Sequence, residues 1–168
     1  CLCIGPWHHE DERSGTHRRS PTDHDADHVL LRTAKCVQGI VELNLDCEPV
    51  FDYGRTEGAW EYAGESYNEA SARPAGGDVE LKLTTDLRVG FEGRRARART
   101  TLREGDTAFV ALSWSEHPAP RDYAEAYDRM ERTSDYWREW LNRGAFPDHP
   151  WRQYLQRSAL TLKGLTYA

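Results

Sequence analysis

The 168-residue chain is predicted to be a β-plus-α protein: an antiparallel β-sandwich followed by two amphipathic helices. Three observations predict this. Short apolar stretches alternate with a period of two from Asp27 onward, and Gly- and Pro-rich turns punctuate them. After Pro118 and Pro120 the apolar period changes to three and four residues.

The first five residues, CLCIG, read as the tail of an apolar strand. Residues 6–26, PWHHEDERSGTHRRSPTDHDA, form a polar loop with no period that would bury a face. Loops of this length are commonly functional or mobile. A strand is expected from Asp27 to Cys36, with Val29, Leu30, Leu31 and Thr33 supplying its apolar and β-branched content. In VELNLDCE, Val41, Leu43, Leu45 and Cys47 fall on one face and Glu42, Asn44, Asp46 and Glu48 on the other. Gln38-Gly39 between these two runs reads as a tight hairpin.

The same pattern recurs in GAWEYA near Trp60, in VELKLTT with Val79, Leu81 and Leu83 in phase, in RRARART around Arg97 and in TAFVALSW from Thr107. Turn signals at Pro74 to Gly77, at Glu92-Gly93 and at Glu104 to Asp106 separate these strands. Then Tyr123, Tyr127, Met130, Tyr136, Trp137, Trp140 and Leu141 recur at helical steps, with Gly144 as C′ residue. A second helix is expected with Asp148 as its cap and Pro150 and Trp151 in its first turn. Trp151, Tyr154, Leu155, Ser158, Ala159, Leu162 and Leu165 lie down one side of it. ALTLKGLTYA is still helical in pattern where the sequence stops, so a segment of a longer protein is expected.

Composition narrows the function. The 28 acidic residues outnumber the 22 basic ones, for a net charge of −6, which argues against a general nucleic-acid binder. The apolar runs are far shorter than the roughly 18 residues a membrane span requires, and CLCIGPWHHEDER lacks the marks of a secretory signal. Cys1, Cys3, Cys36 and Cys47 form no CxxC pair. Reduced thiols and a cytoplasmic location follow as the expectation.

Several constellations invite chemistry. His8, His9, Glu10, Asp11, Glu12, His17, His24, Asp25, Asp27 and His28 are metal-ligating types, yet their spacing matches no metal motif, so no metal site is assigned. Glycoside hydrolysis needs two carboxyl groups; Glu48, Asp52, Glu57, Glu61, Glu65 and Glu69 are available, but no pair stands out. The run Ser113-Trp114-Ser115-Glu116-His117 lacks a nucleophile elbow. Of Arg94, Arg95, Arg97 and Arg99, alternation with Ala96 and Ala98 places three on one exposed face of a strand, which reads as a solvated edge. Trp137, Trp140 and Trp151 have helical spacing and read as core.

Taken together, GPWHH, RRSPTDHDADHVLLR, ELNLDCEPVFDYGR and FPDHPWRQYLQRSALTLKGLTYA resemble glycoside hydrolase family 15, in its actinobacterial trehalase-like and glucoamylase-like branch. The resemblance covers most of the chain, and RSALTLKGLTYA is its most specific part. It implies a non-catalytic N-terminal β-sandwich over residues 1–118, incomplete at its start, a linker helix over 119–144, and the first helix of a catalytic (α/α)6 barrel over 145–168. Cys1 and Cys3 depart from the aliphatic residues such a strand would carry.

That family inverts configuration at an α-glucosidic carbon using two Glu residues on the barrel, so the resemblance transfers no catalytic residue to this chain. The implied function is a structural part of an inverting α-glucoside hydrolase acting on trehalose, inactive alone, whose partner is the catalytic barrel of the same polypeptide. Phosphate, magnesium and a homo-oligomeric state enter for the complete enzyme only through this resemblance, and no residue here is assigned to hold a cofactor. The residues named as candidates for reaching substrate are Trp7, His8 and His9, which join an aromatic face to hydrogen-bonding groups. The alternative is a non-enzymatic carbohydrate-binding or interaction sandwich using exposed aromatics such as Trp7 and Trp60.

Overall fold

A computed structural model describes residues 2–4, 26–114 and 118–165. The strands are β1 (Leu2–Ile4), β2 (Ala26–Lys35), β3 (Ile40–Cys47), β4 (Val50–Phe51), β5 (Thr56–Tyr62), β6 (Glu69–Pro74), β7 (Leu81–Thr85), β8 (Gly90–Glu92), β9 (Arg95–Arg103) and β10 (Thr107–Ser113); the helices are α1 (Tyr123–Asn142) and α2 (Arg152–Gly164). Among the described residues, one sheet has the order β1-β2-β10-β7-β6-β5-β4 and a second has the order β3-β9-β8, with every pairing antiparallel.

The two sheets share one core. Trp60, Ala70, Ala72, Leu83 and Ala108 from the larger sheet meet Ala96, Ala98 and Leu102 from the smaller, with Leu43, Leu45 and Cys47 packed against them. This is the alternation of VELNLDCE and RRARART realised as inward and outward faces. Val41 departs from it and is exposed.

Gln38-Gly39 is not a hairpin. β2 pairs with β1 and β10, β3 pairs with β9, and the segment between them crosses from one sheet to the other. The β9–β10 connection makes the same crossing beside it, so the two strand pairs form one long ribbon folded at a corner. The corner is pinned by Cys36 N–H donating to Asp106 O at 2.9 Å, Gly105 N–H to Cys36 O at 2.8 Å and Glu104 N–H to Gly39 O at 2.9 Å. Residues 36–39 oppose 104–106, one extra residue on the first side, as in a bulge. Gly39 and Gly105 take φ of +75° and +90° there, which an L side chain resists.

The outer face of the larger sheet carries α1. Val29 and Leu31 of β2 and Phe109 and Ala111 of β10 are buried against Ala126, with Tyr123 and Met130 beside them. β10 thus has both faces covered: Ala108, Val110 and Leu112 turn to the sandwich, and Phe109 and Ala111 turn to the helix. Its sequence TAFVALS is therefore a continuous apolar run rather than an alternating one. On α1 the buried positions are Ala126, Thr133 and Tyr136, while Tyr127 is exposed. The seam therefore includes Tyr123, Met130 and Tyr136 of the expected apolar set and leaves Tyr127 to one side.

α1 begins at a reciprocal cap. Asp122 accepts from Glu125 N–H at 2.8 Å, and the Glu125 carboxylate accepts from Arg121 N–H at 3.1 Å. This variant of the capping box satisfies two donors at once. At the far end Gly144 follows the C-cap Arg143 without a left-handed φ, and a Cβ there would lie 2.6 Å from the Phe146 ring. Its role is to admit that ring.

α2 starts later than expected: Trp151, not Asp148, is its N-cap residue. The preceding turn is closed by His149, whose carbonyl accepts from Arg152 N–H at 2.8 Å and whose Nδ1 accepts from Trp151 N–H at 3.2 Å. No residue of α2 is buried, so Trp151 is an exposed side chain and not core.

Candidate functional site

Trp7, His8 and His9 lie outside the described residues, as do most of the His-rich loop and residues 115–117. Of that loop's last members, His28 stacks on Trp114 with ring centroids 5.8 Å apart. Among the described residues no group of His, Cys, Asp and Glu is arranged to hold a metal ion, and no helix is long and apolar enough to cross a membrane. Cys36 and Cys47 are free thiols; burial pushes the Cys47 thiol up, helped by the neighbouring Asp46 carboxylate.

Trp60 is not an exposed aromatic. It is 8% exposed in the sandwich core, and its indole N–H donates to the Arg94 carbonyl at 3.0 Å. The buried face of β5 begins at Gly58, where a Cβ would lie 2.5 Å from the Phe51 ring. The phase of GAWEYA correctly shows that Trp60 and Gly58 share a side of β5, and that side points inward.

Arg95, Arg97 and Arg99 share the exposed face of β9 and Arg94 sits in the turn before it, but β9 is the central strand of its sheet and not an edge. Each arginine meets acids from neighbouring strands. Arg99 bonds Glu42; Arg97 meets Asp46 at 3.2 Å and also Glu92; Arg95 meets Asp46 at 3.2 Å and Glu48 at 2.8 Å; Arg94 meets Glu48 at 3.3 Å and also Glu57. The Arg99 guanidinium, with the Asn44 amide behind it, holds the Glu42 carboxyl below its usual range. Exposed pairs of this kind contribute about 0.2–1 kcal/mol each. The ladder supports strand register and gives each of these four arginines a carboxylate partner.

The carboxylates do not converge. Glu48 and Glu57 are engaged by Arg94, and Asp52 sits 3.9 Å from Arg55. Glu65 and Glu69 line two separate recesses that meet at Asn68. The first recess, about 420 Å³, is bordered by Glu65, Tyr67, Asn68, Asp86 and Arg88. The second, about 300 Å³, lies between Lys82, Thr84, Ser113 and the chain entering α1 at Pro118 to Arg121. Ser113 is buried there, with a hydroxyl that meets no hydrogen-bond partner. No nucleophile–base arrangement forms around it among the described residues.

A third feature is the bare face of α2. Trp151, Tyr154, Leu155, Leu162 and Leu165 are all exposed, although their spacing makes one apolar side. The Trp151 and Tyr154 rings lie beside each other, centroids 6.1 Å apart. A helix with such a stripe is built to be covered.

No protein-family model matches the chain, and no solved structure does. Two curated proteins do. The chain is 62% identical over 170 residues to a protein of Mycolicibacterium smegmatis described as "Trehalase", and 59% identical over 170 residues to one of Mycobacterium tuberculosis described in the same way. In each case the match takes in 99% of this chain and 25% of the relative. The chain is therefore homologous, along nearly its whole length, to about a quarter of two mycobacterial trehalases.

Proposed function

We propose that this chain is the structural N-terminal part of a trehalose-hydrolysing glycosidase of family 15, comprising a sandwich over residues 1–118, a linker helix over 119–144 and the first helix of the catalytic barrel over 145–168. The observation that carries the reading is the 62% identity spanning 99% of the chain with a trehalase four times its length. The dispersed carboxylates support it, because two acids some 6.5–9.5 Å apart across a sugar are the minimum for inversion. The chemistry then resides on the remaining polypeptide, and the complete protein works in the cytoplasm.

On this reading the bare side of α2 is the seam along which further helices pack, and α1 fixes the sandwich relative to them. The Trp7, His8, His9 segment is proposed to wall one side of the sugar pocket. Phosphate and magnesium enter for the whole enzyme through the resemblance alone, and no residue of this chain is assigned to either.

The test is hydrolysis of trehalose by the complete polypeptide, followed by NMR of the anomeric protons before mutarotation. Inversion releases β-glucose from the attacked ring and α-glucose from the leaving ring, in equal amounts. Retention releases α-glucose alone and overturns the mechanism. Absence of any trehalose turnover overturns the function. The 168-residue chain by itself is expected to give none.

A further inference from the structure

The recess at Tyr67 has the makings of a binding site unrelated to the α2 seam. It sits in the β5–β6 connection, and its backbone is held in a costly shape. Tyr67 takes φ of +58°, a left-handed conformation unfavourable for an aromatic residue. Three backbone bonds hold it: Val89 N–H donates to Tyr67 O at 2.8 Å, Thr85 N–H to Asn68 O at 3.0 Å and Ala63 N–H to Glu69 O at 3.1 Å.

This backbone presents aromatic surface at the protein exterior. Tyr62 and Tyr67 are 42% and 43% exposed and meet edge to face at 5.0 Å. Tyr62 is fixed from behind by stacking on Phe91 at 4.2 Å and by donating its hydroxyl to Val89 O at 3.1 Å. Arg88 lies 5.1 Å from the Tyr67 ring centroid.

The polar groups around the rings are held in place yet hold bonding capacity in reserve. Arg88 and Glu65 border the same recess, and neither makes a salt bridge among the described residues. Asn68 accepts from Ser66 Oγ at 2.5 Å, which orients its amide and leaves the NH₂ to donate. Asp86, which also borders the recess, is anchored through one oxygen that accepts from Phe109 N–H at 3.0 Å.

We propose that this recess binds a neutral pyranoside. Its polar rim carries two carboxylates, one guanidinium and one amide beside the Tyr67 ring, one side of which Arg88 covers. That set matches the paired donor and acceptor character of sugar hydroxyls, while the apolar C–H side of a pyranose ring lies against tyrosine. A phosphate or carboxylate ligand would meet Glu65 and Asp86, and a purely apolar ligand would strand the charges. The recess is open and shallow, about 420 Å³, so it would hold one face of a sugar ring and leave the other to solvent. Choosing trehalose among pyranosides rests on the function proposed above; the site itself does not.

The experiment uses the complete polypeptide and a thio-linked trehalose that resists hydrolysis, titrated under ligand-observed NMR. Wild type is expected to show two saturable sites and Tyr67→Gly one. Glycine accepts the left-handed φ, so this variant removes the ring while relaxing the backbone. Arg88→Gln is expected to weaken the same site at least tenfold, and both variants keep wild-type kcat/KM on trehalose. The same number of sites in Tyr67→Gly as in wild type overturns the proposal, whatever that number is. Loss of hydrolysis in wild type with a Tyr67-dependent site still present would sink the proposed function and leave this inference standing.

Discussion

The indole N–H of Trp60 on β5 donates to the backbone carbonyl of Arg94, in the turn that joins β8 to β9, at 3.0 Å. It ties the two sheets together across their shared core, so the largest aromatic of the sandwich is a structural member. Trp60→Ala is expected to cost about 3–5 kcal/mol of stability, and Trp60→Phe about 1–2 kcal/mol through the orphaned carbonyl. Thermal melts of both variants check this. Sugar binding lost by Trp60→Phe at unchanged stability would contradict it.

Glu125 accepts at 3.1 Å from Arg121 N–H and at 2.6 Å from the Arg129 guanidinium, and its pKa is lowered from 4.5 to about 2. The backbone bond is the largest cause and the Arg129 bond the next. A depressed folded-state value means the ionised carboxylate stabilises the fold. That stability is present above 4.5 and is lost as the pH falls through about 2. Glu125→Gln is expected to lower stability near neutral pH by about 1 kcal/mol and to flatten the acid limb between those values. Urea titrations across that window measure it.

Gly58 lies under the Phe51 ring, and an added Cβ would be 2.5 Å from it. Gly58→Ala is expected to destabilise by about 1–3 kcal/mol through overpacking. Combined with Phe51→Ala, much of that cost should disappear, because the clash partner is gone. A double-mutant cycle with zero coupling would show that the glycine serves some other purpose.

Leu155 and Leu162 stand exposed on α2, four-tenths or more of their surface open to solvent. Leu155→Lys with Leu162→Lys should leave the melting of the 168-residue chain within about 0.5 kcal/mol of wild type. The same pair in the complete polypeptide is expected to abolish soluble, active protein, since two charges would then be buried without partners. An active, fully stable double variant of the complete polypeptide would remove α2 from the seam.

Much of this architecture is legible in one dimension. Period two in VELNLDCE and RRARART sets which residues face the core, since consecutive side chains on a strand point oppositely whatever the strand's neighbours are. The helix over Tyr123–Asn142 follows from its spacing, and its cap was present in Asp122 and Glu125 as a D-x-x-E signature. Strands β4 and β8 are only two and three residues long, and the buried face of β6 carries only Ala70 and Ala72, so none of the three declares itself. The recess at Tyr67 is equally silent, because its members come from residues 65–68 and 86–88 and meet only through strand pairing.

The amino-acid order thus settled, by itself, the class of the fold, the inward faces of its longer strands and the amphipathic side of α2, all of which are local periodicities. Tertiary structure alone decided that Gln38-Gly39 crosses between sheets, that Trp60 points inward beneath Arg94 and that β9 is a central strand. Those facts depend on which strand sits beside which, and pairing is chosen by the burial of whole faces at once. A local pattern fixes what a segment can bury; only the assembled chain supplies what it is buried against.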